Sequence, residues 1–261
     1  MRNRKAVKGL VVFAVILSWA CVWHPFLPPV GISLQGAALG DGNGEKQEKQ
    51  APLASAPKTE ESPKDDIDSE YLILVNKSHE LDSSYKPDDL VSIKYYAEDR
   101  APESRYMRAA AADAFHHLVE EAERLGIELV MTTAYRSYGF QSYLYDSYVA
   151  EVGKEAADRF SAEPGKSEHQ TGLAVDVSSR SVSYQLTVEF ADTEEGRWLS
   201  ENAHLFGFVM RFPEGKEDIT GYQYEPWHIR YVGLAAAGYM YENGTVLEEY
   251  LQLLEKGLEE D

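Results

Sequence analysis

The sequence predicts an α+β domain, on three observations: segments with apolar residues at helical spacing, short segments with two-residue alternation, and no regular strand–helix–strand rhythm between them. Helices and strands intermingle without the succession a doubly wound sheet needs. The folded part is expected over about residues 69–261, behind an export segment over 1–40 and a polar tether over 41–68.

The export segment is read from Arg2, Arg4, Lys5 and Lys8, which precede the uncharged run from Gly9 to Trp23. That run has the length of a signal-peptide core and is short for a membrane span, which needs roughly 20 apolar residues. Small residues at Ala37, Ala38 and Gly40 offer a cleavage point, but Pro25, Pro28 and Pro29 separate them from the run. Cleavage and retention as an anchor both stay open, and either leaves the rest of the chain outside the cytoplasm. The tether is Gly, Glu, Lys, Gln, Pro, Ser and Asp with almost no bulky apolar residue, so it cannot offset its own ordering entropy.

Tyr71 to Val75 opens the domain. Met107, Ala111, Ala114, Leu118, Ala122 and Leu125 then recur at spacings of three and four, which predicts an amphipathic helix over 103–125 stopped by Gly126. Ile127 to Tyr135 reads as a strand that delivers Arg136 at its end, and Phe140 to Val152 as a helix. Leu173, Val175 and Val177 alternate with Ala174 and Asp176, so a strand there turns the carboxylate away from the core. A helix over 193–205, a strand over 228–232 and a last helix over 245–254, with Thr245 and Glu248 as a capping box, complete the set.

Composition narrows the function. The chain has 261 residues, 44% of them hydrophobic, enough for a real core, and a formal net charge of −19, which repels rather than attracts nucleic acid. Cys21, within the apolar leader, is the only cysteine, so the folded part holds no disulfide and a metal site must use His, Asp or Glu. Two segments concentrate such residues, 167–176 and 225–233. A catalytic zinc takes three protein ligands and keeps one open position, which His169, Asp176 and His228 would satisfy; Glu225 is then left as a general base. Arg136 could stabilise an oxyanion or grip a carboxylate, and Ser167 and Gln141 could add neutral hydrogen bonds around a substrate's end. Gly172 is read as a conformation or a closeness that a side chain would forbid. Spacing alone leaves blander roles open: Asp176 as a loop cap, Glu225 as one more surface acid, Arg136 as one half of a surface pair. His24, His79, His116, His117 and His204 carry no such pattern.

The run Ser167-x-His169-x-x-Gly172-x-Ala174-x-Asp176, followed by Glu225-x-Trp227-His228-x-Arg230-Tyr231-Val232-Gly233, resembles the VanY-type D-alanyl-D-alanine carboxypeptidases of the M15 metallopeptidase family. Tyr135-Arg136-Ser137 with Gln141, and the stretches 74–77 and 85–90, extend the resemblance over about residues 70–240. It implies an α+β domain with a small antiparallel sheet carrying one zinc ion, His169, Asp176 and His228 as ligands, Glu225 as base, and Arg136, Gln141 and Ser167 at the substrate. The implied substrate is the stem peptide of peptidoglycan, cut to release a terminal D-alanine, with the membrane involved only through the N-terminal segment. Phe212 departs from the pattern, since relatives often carry tyrosine there. An L,D-carboxypeptidase would share the zinc centre and differ in its pocket. A cross-link endopeptidase would want an open groove in place of an arginine clamp, and a non-catalytic wall-binding module would be expected to have lost one of the four central residues. Oligomeric state is not legible.

Overall fold

The computed structural model describes residues 70–98 and 100–259. The predicted leader, with Cys21, and the predicted tether lie outside the described residues. What positions the site is a four-stranded antiparallel sheet built from β3 (Val130–Thr133), β4 (Ala174–Ser178), β5 (Phe208–Met210) and β6 (His228–Tyr231), in the order β3-β4-β6-β5. A separate two-stranded ribbon pairs β1 (Leu90–Ser92) with β2 (Tyr106–Arg108).

Alternation along β4 sorts its residues as the sequence pattern predicts. Val175 and Val177, with Met131, Phe208 and Ile229 from the neighbouring strands, face a core that also takes Phe115, Leu118, Val119 and Ala122 of helix α1 (Ala109–Arg124). The opposite face carries Asp176, His228 and Arg230. In the β4–β6 ladder Asp176 stands directly across from His228, and cross-strand partners share a face of the sheet. A register shift between Met131 and Thr133 of β3 lies beside Asp176.

The remaining helices are α2 (Tyr138–Val152), α3 (Lys154–Phe160), α4 (Glu194–Asn202), the single turn α5 (Glu217–Thr220), α6 (Leu234–Asn243) and α7 (Leu247–Glu259). Ser137 caps α2 through its hydroxyl, and Thr193 caps α4 likewise. A second apolar cluster unites Leu72, Val209, Val232, Ala236, Met240, Leu247, Tyr250 and Leu254, seating α6 and α7 against the edge strand. Helices and small antiparallel sheets thus make one α+β unit, the fold class the sequence predicts.

Two expectations fail locally. The helix expected from residue 103 begins only at Ala109, because residues 106–108 pair with β1; Met107 is fully buried from a strand, not from a helix face. The capping box at α7 is displaced. Glu249, not Glu248, accepts from the backbone N–H of Val246 at 2.9 Å, while Glu248 turns inward to Arg211. A buried guanidinium is a stronger competitor for that carboxylate than a solvated helix end.

Candidate metal and active site

His169 reaches the site from a 3-10 turn over Glu168–Thr171 that runs into β4. Gly172 closes the turn in the left-handed conformation at φ +69, and a Cβ there would come within 2.9 Å of Leu90, so both reasons for a glycine hold. The backbone N–H of Arg136 donates to the His169 carbonyl at 3.1 Å, tying the end of β3 to the turn. On β4 and β6, Asp176 and His228 complete a group whose potential ligand atoms all lie within 4.8 Å of one another. His228 Nδ1 is 3.0 Å from Asp176 Oδ1, and His169 Nε2 is 3.3 Å from Asp176 Oδ2.

The chemistry of this donor set fits a cation. Two imidazoles and a carboxylate are the borderline donors zinc accepts. His169 Nδ1 pairs with the Ala134 carbonyl at 2.7 Å, where only an N–H can serve, so Nε2 keeps its lone pair toward Asp176. All three side chains are buried, and the repulsion between the His169 Nε2 lone pair and the Asp176 carboxylate is what a cation would relieve.

Burial disfavours the charged form of His228, yet its contacts with Asp176 and Glu168 prevail and push its pKa up to about 9. Burial opposes the ionised form of Asp176 too, but His169 and His228 hold it well below the usual carboxylate range. Burial lowers His169. Since a cation competes with the proton on His228, metal affinity is expected to rise by about tenfold per pH unit until pH nears 9. Competition titrations with a chromophoric chelator at several pH values check this; an affinity flat from pH 6 to 8 would contradict it.

Glu225 lies at the mouth of the site, its Oε2 4.0 Å from His228 Nδ1 and its side chain 15% exposed. Burial pushes its pKa up to about 7, against the pull of His228. A carboxyl poised there both takes and returns a proton near neutrality. Arg136, half-buried, faces the same cleft, which encloses about 200 Å³ and is also walled by Ser167, Trp227, Phe212 and Tyr222. Phe212 packs its ring 4.9 Å from that of His228 and 4.8 Å from Tyr222. The Tyr222 hydroxyl is committed to the Lys166 carbonyl at 3.0 Å.

Gln141 sits elsewhere than the substrate-facing position expected of it. It is buried behind Arg136, accepting from Nη1 of that arginine at 2.8 Å and donating to the Ala162 carbonyl at 2.6 Å. Both ends of its amide are engaged, so its work is to aim the guanidinium. Gln141→Leu is expected to lower kcat/KM by about tenfold through a misplaced Arg136; steady-state kinetics that match the wild type would refute this.

Sequence reasoning gave the charges behind His228 no role at the site. Glu168, 3% exposed, accepts at Oε1 from Arg211 Nε (2.7 Å) and Arg230 Nη1 (2.8 Å), and its Oε2 stands 3.5 Å from His228 Nε2. Arg211 also forks onto Glu248 at 2.9 and 2.7 Å, and Asn76 donates to Glu248 at 3.0 Å. Arg230 reaches the carbonyls of Tyr71 and Ile73. The signal was present only as an acid beside the first histidine and an arginine two residues after the second.

A family model for VanY, D-alanyl-D-alanine carboxypeptidase, matches residues 104–234. The D-alanyl-D-alanine carboxypeptidase of Enterococcus faecium is 35% identical over 191 residues, 71% of this chain and 58% of that protein. Among solved structures, the LdcB LD-carboxypeptidase matches with a TM-score of 0.66 at 44% identity, covering 69% of this chain and 84% of that one. A mutant of the vancomycin-resistance D,D-pentapeptidase VanY in complex with Zn(II) matches with a TM-score of 0.57 at 34% identity, covering 69% and 98%. Fold and relatives together define the chain as a carboxypeptidase. It belongs to the VanY family, with the fold of the M15 peptidases.

Proposed function

We propose that this chain is a zinc-dependent D,D-carboxypeptidase that removes the terminal D-alanine from peptidoglycan stem peptides. The observation that carries the reading is the convergence of three buried ligand atoms within 4.8 Å, with a raised glutamate beside them and an arginine in the same cleft. Membership of the VanY family and the zinc held by a structural relative support it. His169, Asp176 and His228 would hold the ion, which when bound supplies Lewis acidity that polarises a carbonyl and acidifies water. Glu225 accepts the proton of the attacking water as its oxygen bonds to the peptide carbonyl carbon. The same carboxyl returns the proton to the amine of the departing D-alanine as the C–N bond breaks. Arg136, held by Gln141, donates to the oxygen on which negative charge develops or to the terminal carboxylate. Export through the N-terminal segment would place this work in the cell envelope.

A second reading, an L,D-carboxypeptidase acting on tetrapeptide stems, is favoured by the higher identity to LdcB, 44% against 34% for VanY. Incubation with stem pentapeptide and stem tetrapeptide, each with and without a chelator, separates the two by mass. The first reading expects one alanine lost from the pentapeptide alone, and only in the metal-replete sample. Loss from the tetrapeptide alone transfers the assignment to the second reading, and cleavage that survives the chelator removes the metal from both.

A further inference from the structure

His169 and His228 face the same aspartate through different ring nitrogens, Nε2 for the first and Nδ1 for the second. Each therefore needs an acceptor behind it that keeps the proton on the other nitrogen. The Ala134 carbonyl serves His169 at 2.7 Å. For His228 the group in that place is Glu168, whose two oxygens have different tasks. Oε1 alone satisfies both Arg211 and Arg230. Oε2 and His228 Nε2 are both buried, each without a hydrogen-bond partner among the described residues, and stand 3.5 Å apart.

We propose that Glu168 is a positioning residue of the metal centre: it holds the Nε2–H form of His228, so that the Nδ1 lone pair is presented to the cation. The inference rests on reading His169, Asp176 and His228 as the ligand set. A purely structural ion pair would need only the oxygen that meets the arginines. The geometry adds a second oxygen aimed at the ring, with its partner nitrogen waiting. The arginines fix which oxygen does which: pinned by two guanidiniums from β6 and the segment after β5, the carboxylate cannot rotate to exchange them.

Glu168→Gln tests this by reversing one atom. Its carbonyl oxygen stays with the two guanidiniums, which only donate, and its NH2 then faces His228. The ring must answer with a lone pair at Nε2 and carry its proton on Nδ1, where the cation belongs. In the full chain, zinc affinity from competition with a chromophoric chelator is expected to fall by about 10- to 100-fold. The ligand-field bands of the Co(II)-loaded variant are expected to shift as well. Glu248→Gln is the control: it disturbs Arg211 from the far side of the same cluster without touching His228, and should leave zinc affinity within about threefold of the wild type. A folded Glu168→Gln that binds zinc like the wild type overturns the proposal, as does Glu248→Gln weakening zinc equally. If Glu168→Gln does not fold, 15N-histidine NMR of the zinc-loaded wild type decides: Nε2–H on His228 beside Nδ1–H on His169 upholds the proposal, and Nδ1–H on His228 overturns it. A wild type that binds no zinc at all defeats the underlying ligand reading instead.

Discussion

Glu225→Ala is expected to bind metal as the wild type does and to lose turnover by about 10²- to 10⁴-fold, the range a positioned general base contributes. The separation of the two effects follows from geometry. Asp176 and the two histidines supply the converging atoms, and Glu225 stands 4.0 Å from His228 Nδ1 in the wall of the cleft. Its removal takes away a proton acceptor and leaves the donor set whole. The neighbouring Asp176 raises Glu225, which is to say that the two carboxylates repel, so the alanine variant has no reason to bind a cation less well through its remaining ligands. Metal content by mass spectrometry and kcat from product chromatography give the two readouts. More than a tenth of wild-type activity in a metal-replete variant would remove Glu225 from proton transfer, and loss of the metal would move it among the ligands.

The largest effect on stability is expected from Arg211→Ala. This guanidinium is 1% exposed and bridges two carboxylates, Glu168 and Glu248, that are themselves buried. Truncation leaves Glu248 with only Asn76 and Glu168 with only Arg230 and the long contact to His228. Breaking a buried pair from one side costs about 3–5 kcal/mol, since the remaining charge keeps its desolvation penalty. For a domain of this size that corresponds to a fall in Tm on the order of 10 °C. Chemical denaturation reads it directly, and a loss below about 1 kcal/mol would mean that water or a rearranged partner compensates. Replacing the whole cluster with apolar residues is a different experiment, because a buried ionic set is weak evidence of net stabilisation.

Much of the site was legible because its members fall in two short runs of sequence. Strand alternation turned Asp176 away from Val175 and Val177, and β6 supplied its partner across the ladder. The helices α2 and α4 were also legible, over 140–152 and 193–205, while their caps Ser137 and Thr193 emerge only from the structure. The three-residue strands β1, β2 and β5 were not legible, since so few residues have no period of their own and depend on a distant partner. Met107 shows how this misleads, for it fits the helical spacing of α1 and belongs to a strand. Glu168 shows the same limit at the site. Its partners Arg211 and Arg230 lie 43 and 62 positions along the chain, and only the fold brings them to it. Gln141 was noticed as a group that could hydrogen-bond a substrate's end, while Arg136 and the Ala162 carbonyl, which engage its amide, could not be foreseen as its partners.

The charge cluster also sets the smallest piece of this chain worth expressing. Residues 104–234 contain every candidate ligand and Glu225, and a truncation drawn at those limits looks complete on paper. It would discard Glu248, which pairs with Arg211, Asn76, which donates to Glu248, and the Tyr71 and Ile73 carbonyls, which accept from Arg230. Such a fragment would leave the single carboxylate of Glu168 to answer both buried guanidiniums directly behind the imidazole of His228. Both flanks therefore support the charge cluster behind the sheet, and a workable recombinant form runs from before Tyr71 to beyond Glu248.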